Sequence, residues 1–325
     1  MNIIILSCMT FPNPINGWFM AHIWPIGGGK GGSGKSFLAS SLGRLLAKSG
    51  KKTLLIDLDL GSANLHTMVG VPYPERCFSD FVAKKIPVLE DTVLGTPFPN
   101  LFLISGAHDN LDIANLPYDK KIKTLRAISK LQYEYILLDL GAGTTFNTLD
   151  FFLASRNGIF VTTPEPTSIE NVYRLMRAIY FRRIRHYFSA TDFKALEKKA
   201  RQQSGDDSFN KPEHIISVVK KEYPEKYMLI KEDFNSFSFK LILNQLHKQD
   251  SVELGSQMCK IIKKHLGMHV YFAGNIAYDE HVHDAICQRI SFLDRYPHTR
   301  AANDLRELNR KMSNSFGEQL MLNYL

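Results

Sequence analysis

The feature that most restricts this chain is Gly29-Lys30-Gly31-Gly32-Ser33-Gly34-Lys35-Ser36, a glycine-dense run after an apolar stretch and before a helix-like one. Glycines let successive backbone N–H groups turn into one concavity, and the helix that follows presents its positive end to whatever sits there. The run is a full GxxxxGK[ST] match, the pattern that cradles polyphosphate. Gly29 through Phe37 is the candidate phosphate-binding segment, with Lys35 reaching the β/γ-phosphates and the Ser36 hydroxyl a ligand for Mg²⁺. A ligand-free glycine turn would not need this spacing in a strand–loop–helix context.

Around the loop, short apolar runs alternate with helix-like segments, the pattern of an α/β fold with a mostly parallel central sheet and helices on both faces. Strands are expected near residues 23–28, 53–57, 101–105, 135–139, 158–163, 239–244 and 270–274, and helices near 37–47, 121–130 and 171–181. Most strand candidates lack alternation, as strands covered on both faces should. Pro25 lies inside the first, where a ladder donor is lost. Thr167 and Glu170 have the spacing of a capping box.

Carboxylates fall where a phosphate site needs them. Asp57 and Asp59 end the second strand, on the edge that carries the loop, and Asp139 ends another after four apolar residues. Asp57 and Asp139 are therefore candidates, with Ser36, to hold Mg²⁺ directly or through water. Gly143 is a candidate to bring a backbone N–H near a γ-phosphate. The four cysteines are scattered, with neither a CxxC pair nor ligand spacing to histidine, so no disulfide framework or zinc site is indicated. Neither a secretory leader nor a stretch of about 20 apolar residues is visible, so a cytoplasmic protein is expected.

These motifs resemble the MinD/ParA family of P-loop ATPases (SIMIBI-type P-loop NTPases). Lys30 to Ser36 reads as that family's KGGxGK[ST] loop, Asp57 and Asp59 as switch I, and Asp139 to Gly143 as switch II. The run Val161–Ser168 is similar to that of the flagellar-number regulators. The resemblance implies ATP, ADP and Mg²⁺ as ligands, slow ATP hydrolysis and an ATP-dependent homodimer. It implies that Lys30 crosses to the partner's phosphates, that Asn244 recognises adenine and that Asp59 orients the attacking water. Catalysis would thus rest on Lys30, Lys35 and Asp59. A regulatory protein partner is also implied.

The domain reading is one ATPase domain over residues 20–325, with residues 1–19 as an N-terminal extension or a mis-assigned start. A helical basic insertion spans 189–236, with helices expected at 192–201 and 213–222. Of the net charge of +8, most lies between Arg182 and Lys231, where 12 Lys/Arg stand against 7 Asp/Glu. That stretch suits either a solvated hairpin or non-specific DNA, the hairpin being favoured. An amphipathic helix over 303–325, with Leu305, Leu308, Met312, Phe316 and Leu320 on one stripe, suits either the sheet or an anionic membrane at the inner face of the cell. Gly317 is expected to interrupt it. Two functions follow: a regulatory switch that positions or counts a cell structure such as flagella, and a DNA-segregation ATPase.

Overall fold

Apolar runs without alternation belong in strands covered from both sides, and that is where the computed structural model places them; it describes residues 21–106, 116–204 and 212–322. The first half contains β1 (His22–Gly27), α1 (Lys35–Lys48), β2 (Thr53–Leu58), α2 (Leu65–Met68), α3 (Phe78–Val82), a 3-10 turn (Leu89–Thr92), β3 (Leu94–Gly95), β4 (Leu101–Ile104), α4 (Tyr118–Ile128), β5 (Tyr135–Leu140), α5 (Phe146–Phe152) and β6 (Ile159–Thr162). Then come α6 (Pro166–Arg185), α7 (Ala190–Ser204), α8 (Pro212–Glu222), α9 (Pro224–Asn235), β7 (Phe239–Leu246), α10 (Leu254–Leu266), β8 (Val270–Ala277), α11 (His281–Cys287), α12 (Phe292–Arg295) and α13 (Arg300–Leu322). The readings of residues 1–19 lie outside the described residues.

The eight strands form one sheet in the order β3-β4-β2-β5-β1-β6-β7-β8. Only β3, which the sequence did not disclose, runs antiparallel to its neighbour. Successive side chains point to opposite faces, so Ile23, Leu54 and Ile56 enter one core while Trp24 and Leu55 enter the other. The first core lies under α4–α6 and the later helices up to α10, and the second under α1 and α13.

Pro25 is accommodated because pairing of β1 with β6 begins only at Ile26. On that side the Ser155 hydroxyl donates to the Ile23 carbonyl at 2.6 Å. Backbone groups two residues apart in a strand point the same way, so the donor missing at Pro25 faces a neighbour that has not yet started. The sheet therefore loses nothing.

Four expectations change. Glu165, not Thr167, is the N-cap of α6, with Pro166 in the first turn, where its fixed φ suits helix entry. Glu170 instead pairs with Arg174. Segment 189–236 carries α7, α8 and also α9, whose start signal is Pro224. Helix α13 begins at Arg300, before residue 303, and runs through Gly317, since one glycine costs a helix only about 1 kcal/mol. Its Leu305, Leu308 and Met312 are buried in the second core, so that part of the stripe faces the sheet. Side chains beyond residue 313 lie outside the described residues.

The basic stretch also resolves. Arg183 forms two hydrogen bonds to Asp233, the longer 2.8 Å. Arg182 holds Asp150 at 2.8 and 3.0 Å, and Lys199 pairs with Glu222. Phe188, Phe193 and Leu196 are buried with Ile215 and Val218, so the aromatics close the hairpin.

Candidate functional site

Strand β1 stops at Gly27, and the chain turns over the carboxyl edge of the sheet before α1 starts at Lys35. The glycines divide by what surrounds them. A Cβ on Gly29 would stand 2.1 Å from the Asn171 carbonyl carbon of α6, and one on Gly34 would stand 2.0 Å from Asn244 Nδ2. Those two positions let backbone pack against neighbours. Gly31 and Gly32 have open space beside them, and Gly32 and Gly34 have φ values of 78° and 91°, which glycine adopts freely. No side chain caps α1, so its first-turn N–H groups face the loop.

Asp57 and Asp139 are register partners on β2 and β5 and are both buried. Asp57 accepts the N–H of Asp59 and of Leu65, each at 3.1 Å, so it fastens the segment beyond β2. Burial, then the facing Asp139, raises the Asp57 carboxyl well above the usual range. Burial likewise raises Asp139, opposed by a hydrogen bond from Ser36 and by the Lys35 ammonium. Two buried carboxylates beside one another call for a cation. Among the described residues, Asp139 Oδ1 and the Ser33 hydroxyl are buried without a hydrogen-bond partner. An orphaned carboxylate oxygen beside a serine hydroxyl and a buried lysine fits Mg²⁺ with a phosphate: Ser36, Asp139 and Asp57 would hold the ion and Lys35 the phosphate.

Asp59 lies at the mouth, half-buried, with Oδ1 3.2 Å from where a Cβ on Gly141 would stand. The Gly143 amide departs from expectation. It donates to the Gly28 carbonyl at 3.1 Å, which ties the two loops together and leaves it unavailable to a γ-phosphate in this conformation. Asn244 Nδ2 donates to the Ser33 carbonyl at 3.0 Å, so its amide secures the loop as well as facing the site. Lys30 is exposed on the lip, its Nζ 2.6 Å from Glu165 Oε2.

Two contributors escaped the sequence reading. Gln245 donates to the Gly32 carbonyl at 3.1 Å from a backbone at φ 59°, within a bulge where the β7–β8 register shifts. Its signal was the polar pair Asn244-Gln245 closing an apolar strand. Glu165 was visible within the Pro-Glu-Pro run, but no spacing rule links it to Lys30, 135 residues away.

Comparison with known proteins agrees with this geometry. The antiactivator FleN of Pseudomonas aeruginosa is 21% identical over 287 residues, 88% of this chain and 84% of that protein. The septum site-determining protein MinD of Synechocystis is 30% identical over 159 residues, 48% of this chain and 59% of the relative. MinD of Pyrococcus horikoshii, solved with Mg-ADP, superposes with a TM-score of 0.64 at 20% identity, covering 92% of this chain and 98% of that one. The family pattern described as CobQ/CobB/MinD/ParA nucleotide binding domain matches residues 25–292. Because that match takes in the phosphate loop, Asp57, Asp139 and nearly every strand, the chain belongs to the CobQ/CobB/MinD/ParA nucleotide-binding family and is a P-loop ATPase that works with ATP and Mg²⁺.

Proposed function

We propose that this chain is an ATP-switched, dimerising ATPase that positions or counts a cell structure such as flagella. The observation that carries the reading is Lys30, an exposed cation on the lip of the loop, held among the described residues by a surface pair with Glu165. Nothing buries it, so it can leave Glu165 for the phosphates of a second subunit, where it acts as an arginine finger does. ATP then favours the dimer through a contact that ADP lacks. The likeness to FleN, which spans 88% of this chain, is what supports the flagellar reading.

In each site Lys35 and the loop amides hold the β/γ-phosphates, and Ser36, Asp57 and Asp139 hold the ion. Mg²⁺, when bound, neutralises charge on the phosphate oxygens. Asp59 orients the attacking water, and Asn244 presents its Oδ1 to the adenine amine. Light scattering with ADP and with ATP tests the switch. Asp59→Ala is expected to accumulate as a dimer in ATP and Lys30→Ala to stay monomeric; an Asp59→Ala protein that remains monomeric in saturating ATP refutes the reading.

The platform we favour is an anionic membrane at the inner face of the cell, reached through the end of α13. Among the described residues no helix is long and apolar enough to cross a membrane. Met312 is the last buried position among the described side chains of α13, and the tail from residue 314 onward is the part we assign to lipid. Deleting 314–325 is expected to leave the melting temperature unchanged and to abolish ATP-dependent vesicle pelleting. Non-specific DNA is the weaker platform, because Arg182 and Arg183 are engaged by Asp150 and Asp233.

A further inference from the structure

A cavity of about 620 Å³ opens between α4 and the stretch from α3 to the 3-10 turn, lined by none of the phosphate-loop residues. Its floor is apolar: Phe81, Leu89 and Leu131 are buried there. Its shoulders carry Val88, 52% exposed, and Tyr118, 54% exposed. Apolar shoulders over a deep apolar floor leave hydrophobic area open to water, which a partner's side chains would remove.

Charge decides what kind of partner. Lys123 and Arg126 of α4 and Lys130 just beyond it line one lip, at steps of three and four residues. None of the three forms an ion pair among the described residues. Lys123 Nζ stands 5.2 Å from the centre of the Phe81 ring, so its stem follows the floor while its charge stays at the mouth. Glu90 and Asp119 are the carboxylates of the same mouth, Asp119 in the first turn of α4. Along α4 itself the cations gather toward Lys130, while Glu90 of the facing 3-10 turn lies near Tyr133 at that end. An apolar slot with cations along one side is suited to an amphipathic helix that inserts apolar residues and turns acidic ones to that lip. Nucleic acid would use the cations but not the floor.

Both walls also lean on the switch segments. Lys121 of α4 pairs at 2.6 Å with Asp150 of α5, the helix that follows Gly143. On the other wall, Phe78 N–H donates to the Ser105 carbonyl at 2.7 Å, and Gly106 lies so near that its Cβ would stand 2.7 Å from the Asp57 carbonyl oxygen.

We propose that this groove is the docking site for an acidic amphipathic segment of a partner protein, whose insertion between α3 and α4 is felt at Asp57 and Asp139. The link to turnover rests on the ATPase reading; the docking does not. Two fluorescein-labelled helical peptides with identical Leu and Phe anchors, one carrying Glu and the other Lys at the flanking positions, are titrated onto the full chain by fluorescence anisotropy. The Glu peptide is expected to bind at least about tenfold tighter than the Lys peptide. The triple variant K123E/R126E/K130E is expected to reverse that order, and Val88→Asp to weaken both. Equal binding of the two peptides, an order that survives the charge reversal, or a short DNA duplex that displaces the Glu peptide would each overturn the docking. Unchanged ATP turnover at saturating Glu peptide would overturn the link to the switches. Binding of a fluorescent ATP analogue to the same samples reports separately on the nucleotide site.

Discussion

At the scale of single residues, the phosphate loop is held in shape by side chains that arrive from β7. Asn244 and Gln245 each hold a loop carbonyl, of Ser33 and of Gly32. Removing one such bond costs about 1 kcal/mol, so Asn244→Ala is expected to weaken ATP binding about fivefold by calorimetry, before any loss of base recognition. Gly34→Ala should do far more. Its Cβ meets Asn244 at 2.0 Å, and φ is 91°, so the loop must open; ATP binding is expected to vanish while the fold persists. The sequence displayed the glycines as one motif, yet it could not separate those that face phosphate from those that face α6 and β7. That distinction belongs to tertiary neighbours, which spacing does not encode.

At the scale of elements, Asp150 joins three helices, taking Lys121 of α4 and Arg182 of α6 onto its own α5. All three side chains are largely withdrawn from water, and deleting the acid strands two cations. Asp150→Ala is expected to lower stability by about 3 kcal/mol in urea titration, more than any exposed pair would. The hairpin has its own pH signature. Burial, then Arg183 and Arg182, lower the His186 imidazole to about 4. An unfolded imidazole titrates near about 6.5, so unfolding takes up a proton in acid. The contribution of His186 is complete above that value and is lost as pH falls toward 4. Melting temperatures between pH 7.5 and 5 should therefore drop more for this chain than for His186→Gln. Most of this architecture was legible. Six strand runs such as Tyr135–Asp139 show their two-sided burial in their composition, whereas the edge strand β8 leaves Tyr271 exposed, β3 is two residues long, and the core stripe of α9 at Tyr227, Ile230 and Phe234 is blurred by the exposed Met228 and Leu229. The stripe of α13 was visible too, but periodicity reports an apolar face without saying what covers it, and the second core takes Leu305, Leu308 and Met312.

At the scale of the whole molecule, the proposed dimer makes the Lys30–Glu165 contact the gate on how readily two copies would join. The pair is half-exposed and worth at most about 1 kcal/mol, so it delays the release of Lys30 without preventing it. Glu165→Gln is expected to tighten the ATP-dependent dimer by up to about fivefold for each Lys30 released, read from its dissociation constant in sedimentation, and to leave the ADP form monomeric. The helix that follows Glu165 has a wider consequence. Over its 20 residues α6 extends about 30 Å, and about 18 Å of that separates Asn171, pressed against Gly29, from the arginines that grip Asp150 and Asp233. With no room for even a methyl group where it touches the loop, α6 behaves as a strut without slack. A load at the hairpin end would therefore pass along the helix to Gly29 and the phosphate loop.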